Sequence, residues 1–531
     1  LSDPGAGTID GPQAAIPVPV PNAGEFTIAS FNVERLFDEF DDPDTDDPVV
    51  DADAVQRRLQ KASLAIRTSL RLPDILGIVE AENLPILQRF ADRINADEVA
   101  AGHASPMYVA YLEEGNDIGG IDVGLLVKSA RVQVVSVEQL GKAATYLPPG
   151  STVPATLNDR PPLVLRGAIQ GPLGPAFPMT VIVNHLRSLR GVAEDEGPRV
   201  RAKRRAQAEF LADLIQSRQA TERIVSVGDY NAFQFNDGLV DVIGTIKGQP
   251  TPADQVALAS PDLVTPDLTG LGDTLPSSER YSFVFDGNAQ TLDHALVNDG
   301  ALRRFSRVAF ARSNADFPES LRGDSTRPER LSDHDAIVAY FAFPGAPVVT
   351  LNGATPLDVE AFTTFEDPGA TAHDEDGPLP VTVTGLVDSN TPGDYPLTYT
   401  ATNGFLTSSV TRLVRVRDTI APTIDGLTLN PQILFPPNRR LVDVTVDYAA
   451  TDASGATTCG LGVTSNDTSG SQADWIVVDP HHVRLRAEWA GLIGTRIYTV
   501  TTTCTDPSGN VSTDRARAFV PGLLVILLSL L

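Results

Sequence analysis

At 531 residues the chain is too long for one hydrophobic core, which predicts roughly two to four domains. Its formal charge of −27 excludes bulk attraction to a polyanion, so a nucleic-acid substrate would need a local basic strip and a metal ion. The acidic excess is spread along the chain, with 48 acids against 31 bases over residues 1–344 and 20 against 10 over residues 345–531, so neither part is a basic binding arm.

In chain order, residues 1–24 are rich in Gly, Pro and Ala, with Pro17, Pro19 and Pro21 alternating, and read as a linker or arm. Residues 26–33 read as a strand. Residues 54–70 carry helical spacing at Val55, Leu59, Ala62 and Ile66. A strand over 74–79 and a helix over 84–94 follow, then strands near 107–112, 122–128, 162–170 and 178–184. A helix with Ala206, Phe210, Leu211 and Leu214 on one side precedes a strand over 223–227. Further strands are predicted at 281–285, 291–297 and 335–343. Strands mixed with a few helices fit a sandwich of two sheets flanked by helices.

At Pro344-Gly345-Ala346-Pro347 the composition shifts to Thr, Val, Gly and Pro, and helical periodicity ends. Residues 345–418 offer short alternating strands with turns such as Asp367-Pro368-Gly369 and Thr391-Pro392-Gly393-Asp394. Residues 419–519 continue in the same way and hold the only cysteines, Cys459 and Cys504. A disulfide in an exported protein and two buried thiols are both compatible with that pair. The apolar tail, 520–531, is short of the ~20 residues of a membrane span and reads as a truncated anchor or a last strand.

Hydrolysing a phosphodiester requires a hard cation on the phosphate oxygens, an aligned water and proton management. Glu80 ends an apolar run, where a carboxylate is costly unless it meets a cation; Glu82 is its near rival. Mg²⁺ takes oxygen ligands and keeps several waters, so one or two carboxylates suffice, and no Cys or His cluster suits zinc. His185 follows the strand of Val181, Ile182 and Val183. Asp229 and Asn231 follow that of Ile224 to Val227, although two such residues after a strand also make an ordinary turn. The cluster of Arg199, Arg201, Lys203, Arg204 and Arg205 reads as the solvated face of an amphipathic helix, with tracking of a DNA backbone as the alternative.

Together Phe31-Asn32-Val33, Val79-Glu80, Asp159-Arg160-Pro161-Pro162, Asn184-His185-Leu186-Arg187-Ser188, Gly228-Asp229-Tyr230-Asn231, Leu292-Asp293-His294 and Ser332-Asp333-His334 form an ordered set. This order resembles the endonuclease/exonuclease/phosphatase superfamily over roughly residues 25–343, and within it the bacterial secreted nucleases. Residues 25–344 would then form a catalytic domain with an α+β four-layer αββα sandwich. The resemblance implies Asn32, Glu80 and Asp333 on the metal side, and Mg²⁺, with Ca²⁺ or Mn²⁺ as alternatives. It implies that His185 hydrogen-bonds the phosphate or protonates the leaving oxygen, that Asp229 aligns water or binds a second ion, and that Asn231 donates to the phosphate. It places His334 in water activation, held by Asp293, and sets Arg160, with Arg187, on the substrate phosphate. His294 should face away and pack, and Asp122 lies near where some relatives place an acid that orients the first histidine. Residues 345–418 resemble bacterial immunoglobulin-like modules, and 419–519 a second one, giving two all-β immunoglobulin-like sandwiches.

The leading expectation is a monomeric, secreted or cell-surface metal-dependent nuclease acting on DNA or RNA, its modules contacting a cell surface or matrix. A phosphodiesterase or phosphatase on lipid or inositol phosphates shares the fold. A surface adhesion protein with a decayed enzyme domain is the reading from another class.

Overall fold

The run Glu25–Leu36 is buried along almost its whole length, as a strand covered on both faces must be. It pairs parallel with Ile75–Ala81 and antiparallel with Ile337–Ala342. A parallel pair needs a crossover, and the helix Ala52–Thr68 supplies it. Val55, Leu59, Ala62 and Ile66 are buried on that helix, and Asp51 caps its first turn by accepting from the amides of Asp53 and Ala54. In spatial order the six-stranded sheet runs Phe305–Phe310, Ile337–Ala342, Glu25–Leu36, Ile75–Ala81, Asp122–Lys128, Tyr108–Leu112.

A second six-stranded sheet repeats the plan. Phe177–His185 pairs parallel with Ile224–Asp229, and the helix Gly197–Gln216 makes the crossover. Its order is Thr269–Gly270, Asp293–Val297, Ile224–Asp229, Phe177–His185, Leu163–Ile169, Val132–Gln139. The sheets meet face to face: a Cβ on Gly77 of the first would lie 3.0 Å from both methyl carbons of Val183 in the second. Helices Ala52–Thr68 and Leu84–Ala100 pack on the outer face of one sheet, and Gly197–Gln216 on the outer face of the other. This is the four-layer αββα sandwich of the expectation.

The computed structural model describes residues 14–43, 45–467, 473–491 and 494–523, and the chain divides into two compact units, Leu1–Gly345 and Ala346–Leu531. Of the expected arm and tail, residues 1–13 and 524–531 lie outside the described residues. Within the arm, Ile16 donates its amide to Arg312 at 2.8 Å, and Val18 packs into the core at 2% exposure.

Three elements differ from the sequence reading. The helix Gly197–Gln216 turns Val200, Lys203, Arg204, Gln207, Ala208, Leu211, Ala212 and Ile215 inward, while Ala206, Phe210 and Leu214 flank that face half-buried. Its buried face includes long polar side chains because they hold the loops around the cleft described below. The strands Val132–Gln139 and Phe305–Phe310 went unpredicted; each is half-exposed and weakly apolar.

The second unit is all β. One module pairs a three-stranded sheet, Val348–Leu351 with Ala370–Asp374 and Gly377–Leu379, with a four-stranded one that contains Gly393–Thr402 and Thr407–Arg417. The other pairs a four-stranded sheet around Leu441–Thr451 with a three-stranded one of Thr458–Ser465, Arg496–Thr505 and Val511–Val520. Cys459 and Cys504 are cross-strand partners in that last sheet and form a disulfide. Among the described residues no helix is long and apolar enough to cross a membrane.

Candidate active site

In each sheet the central parallel strands end at the same pole, and ligands in such sheets gather beyond carboxyl ends. Asn32 and Glu80 come from one sheet, His185 and Asp229 from the other. Asp293 begins its antiparallel strand at this pole, and His334 lies just before Ile337–Ala342.

Local backbone irregularities aim these groups. Glu80 has φ +66° at a register shift in Ile75–Ala81, and a bulge of this kind re-aims a side chain. Its Oε1 accepts from Asn32 Nδ2 at 3.0 Å, and the same amide donates to Asp229 Oδ2 at 3.2 Å. Glu82, the rival carboxylate, turns elsewhere and accepts from the amide of Asp38 at 2.5 Å. Gly228, at φ +146°, lies so close to Asn184 that a Cβ would fall 2.0 Å from its carbonyl oxygen. The parallel strands can therefore converge just before Asp229 and His185, which are ladder partners. Asn231, at φ +49°, donates its own amide to Asp229 Oδ1 at 2.8 Å and its side-chain amide to Leu186 O at 3.2 Å.

The two histidines differ. His185 Nε2 lies 3.8 Å from Glu80 Oε1 and 3.8 Å from Asp229 Oδ2, while its Nδ1 has no hydrogen-bond partner. Burial, then the positive charges of Arg160 and His334, hold its pKa well below the ordinary imidazole value. His334 Nδ1 is paired with Asp293 Oδ2 at 2.7 Å, and its ring packs against Phe283, tilted by 37° with centroids 4.9 Å apart. Burial opposes the charged form of His334, but the carboxylates of Asp293, Asp229 and Asp333 overcome it and hold the pKa well above the ordinary value. The opposite face, Nε2, lies 3.9 Å from both Asp229 Oδ2 and Asp333 Oδ1. Burial, together with the charges of Asp293 and Glu80, pushes the Asp229 carboxyl up against the pull of His334.

Glu80, His185, Asp229, Asn231 and His334 floor a cleft of about 1090 Å³ lined further by Asp333, Arg160, Arg187, Arg190, Lys203 and Phe285. Arg160 is held by Asp117 at 2.8 Å. The expected solvated basic face is partly buried instead: Lys203 pairs with Asp159 at 2.7 Å, Arg204 donates to Arg187 O at 2.5 Å, and Gln207 Oε1 accepts from the amide of Arg187 at 2.9 Å. Asp122 does not reach His185; it accepts from the amide of Gly115 at 2.8 Å. His294 packs edge-on against Tyr230 and bonds Ala232 O at 2.7 Å. The sequence reading missed Ser282, whose hydroxyl accepts from the amide of Asp293 at 3.1 Å, and Arg58, which donates to the carbonyls of Val33 and Glu34 at 2.5 and 2.7 Å.

The donor set fits a hard divalent cation. Asp229, Asp293 and His334 offer ligand atoms within 4.8 Å of one another, and Asp293 Oδ1 is buried with no hydrogen-bond donor. Oxygen donors dominate and no cysteine is near, which suits Mg²⁺, Mn²⁺ or Ca²⁺.

Comparisons with solved structures give zebrafish (D. rerio) TDP2 complexed with a single-strand DNA product, 14% identical, covering 60% of this chain and 99% of that one, with a TM-score of 0.36. They also give an endonuclease/exonuclease/phosphatase family protein from Bacteroides thetaiotaomicron, 14% identical over 60% of this chain and 98% of that one, TM-score 0.35. A third is the 3′ phosphatase NExo from Neisseria bound to a product DNA hairpin, 14% identical over 60% of this chain and 100% of that one, TM-score 0.34. A search of the curated proteins found no match. Residues 27–261 match the model of the Endonuclease/Exonuclease/phosphatase family, and residues 349–416 that of the Ig-like domain of bacterial surface proteins. The chain therefore carries an endonuclease/exonuclease/phosphatase domain followed by a bacterial surface Ig-like domain.

Proposed function

We propose that the chain is a metal-dependent phosphodiesterase that hydrolyses nucleic acid outside the cell. The observation that carries this reading is the convergence of Glu80, His185, Asp229 and His334 from two sheets on one cleft, with Asn32 bonded to Glu80 and Asp229 and Asp293 bonded to His334. A divalent ion held by Asn32, Glu80 and Asp333, with Asp229 and Asp293 close by, would neutralise phosphoryl charge as the transition state forms. Asp229 and Asn231, locked to each other, align the attacking water. Asp293 pins Nδ1 of His334, which leaves Nε2 toward the cleft as the atom that exchanges the proton. His185, kept neutral, hydrogen-bonds a phosphate oxygen through Nε2.

The cleft supports a polymer rather than a small headgroup. Its volume of about 1090 Å³ is at the upper end of small-ligand pockets, and its wall carries Arg187 and Arg190, with Arg160 and Lys203 paired to Asp117 and Asp159, in an otherwise acidic chain. Phe285, 57% exposed, stands at the rim where a base can stack. Incubation of the purified chain with plasmid DNA, RNA and sphingomyelin vesicles, in Mg²⁺ and then in chelator, tests the proposal. Metal-dependent loss of nucleic acid is expected; cleavage of sphingomyelin alone would move the site to lipid phosphates, and unchanged cleavage in chelator would remove the metal.

Export is part of the same reading, supported by the surface-type module and by the Cys459–Cys504 disulfide. Non-reducing mass spectrometry with alkylation should find neither thiol modified; two alkylated cysteines in exported protein would refute the bond.

A further inference from the structure

The strand Glu25–Leu36 does not run straight to its end. Its pairing with Ile75–Ala81 shifts register between Asn32 and Leu36, and inside that break Glu34 and Arg35 stand at φ +53° and +61°. Two consecutive non-glycine residues in the left-handed region persist only where their surroundings hold them. Between the two registers the carbonyls of Val33 and Glu34 need donors from elsewhere. Arg58, on the helix Ala52–Thr68, supplies them: one guanidinium nitrogen, Nη2, donates to Val33 O at 2.5 Å and to Glu34 O at 2.7 Å. One turn further along the helix, Lys61 Nζ donates to the carbonyls of Leu321, Asp324 and Arg327 at 3.0, 2.8 and 3.1 Å. Two cations of one helix thus hold the turn after Asn32 and the loop ahead of Asp333. Glu34 joins the two through an ion pair with Arg322 at 2.7 Å.

On the reading of Glu80 as a metal ligand, we propose that Arg58 is a positioning residue for the metal side of the cleft, fixing the turn through which Asn32 holds Glu80 and Asp229. The line of bonds is continuous. Arg58 holds the Glu34 carbonyl, and the Glu34 amide donates to Asn32 Oδ1 at 2.9 Å. Asn32 Nδ2 then meets Glu80 Oε1 at 3.0 Å and Asp229 Oδ2 at 3.2 Å. With its oxygen tied behind, the buried Asn32 turns its amide donors to two carboxylates from different sheets, and so sets their spacing before an ion arrives. Arg58 is not among the residues that line the cleft, so it acts through Asn32 and not on substrate. Its charge works the other way. The guanidinium acts on Glu80 and Asp333, and a cation beside metal ligands disfavours a second cation. Removing a repelling charge would tighten metal binding, whereas removing a support would loosen it.

Binding of Mn²⁺ to the full chain without substrate, followed by the paramagnetic resonance of the free ion, tests this in a double-variant cycle. Only the ion that Glu80→Ala removes is counted. Arg58→Met should weaken its binding by about tenfold. In an Asn32→Ala background the same change should cost less than about twofold more, because the support then has nothing left to hold. Arg58→Lys keeps a charged donor of the kind that serves three carbonyls at Lys61, and should restore binding to within about threefold. If Arg58→Met fails to fold, Arg58→Gln takes its place in the cycle. Unchanged or tighter binding in Arg58→Met would leave only the charge, and an equal loss with and without Asn32 would make Arg58 a general support of the fold; either overturns the proposal. An unsubstituted chain that binds no Mn²⁺ overturns the metal reading, and this one with it.

Discussion

In the first unit the cleft gathers acids with few donors: Asp293 Oδ1 has none, and Glu80 and Asp229 share one amide of Asn32. In the second unit each module buries one arginine among ready acceptors. Arg412 reaches Asp367 at 2.8 Å, the Tyr399 hydroxyl at 2.9 Å and the Asn352 carbonyl at 2.5 Å. Arg496 reaches Asp474 at 2.7 Å and the Tyr498 hydroxyl at 3.1 Å. Both arrangements cost desolvation. The arginines recover most of it within the fold, with Arg496 Nε left unpartnered, whereas the acids of the cleft would recover it from a cation. Surplus charge marks where the molecule does chemistry, and balanced charge marks where it only holds its shape.

The largest effect should come from removing surplus charge at the cleft. Glu80→Ala should cut phosphodiesterase activity by about a thousandfold or more, with the far-ultraviolet circular dichroism spectrum unchanged. Full activity in that variant would break the comparison. Next, Asp293→Ala and His334→Ala should each lower kcat by about two orders of magnitude or more, and the double variant by little beyond the larger single loss, because the pair acts as one unit. Additive losses would show that the two work separately.

In the second unit the same operation should touch stability alone. Asp474→Ala strands a buried guanidinium and should destabilise its module by about 3 kcal/mol, followed in urea by the fluorescence of Trp475 and Trp489, with cleavage unaltered. The smallest effect is with pH. Burial opposes the ionised Asp367, but bonds from the Tyr399 hydroxyl, the Gly369 amide and Arg412 outweigh it and lower its pKa. A depressed folded pKa gives stability that is present above the unfolded value, 3.8, and lost as pH falls through the folded one. Unfolding scans below that pH should therefore destabilise the unchanged chain more than Asp367→Asn; parallel curves would contradict it.

Much of this was legible because Glu80, His185 and Asp229 each close a local apolar run. Ile75 to Val79 announces a strand end at Glu80, and Ile224 to Val227 announces one at Asp229. What escaped was whatever depends on distant pairing. Arg58 acts through bonds to backbone some way along the chain, and nothing in its neighbourhood signals it, while the role of Ser282 depends on the pairing of its loop with Asp293. The face of Gly197–Gln216 was misjudged because hydrophobic periodicity assumes that a buried face is apolar, and Lys203, Arg204 and Gln207 are buried to hold the walls of the cleft. Val132–Gln139 was missed because an edge strand needs few apolar residues.

Glu25 lies beside Ala342 in the ladder, and the amide of Phe343 reaches Gly24 O at 3.0 Å. The first sheet's central strand therefore begins beside the point where its last strand ends, on the pole away from the cleft, like a ring with a single clasp. A short peptide could join residue 343 to residue 24 and new termini be opened in an exposed turn, such as at Gly150, with every cleft residue left in place and the core packing of Val18 given up. Such a circular permutant would turn the point of attachment to the rest of the chain into a matter of choice.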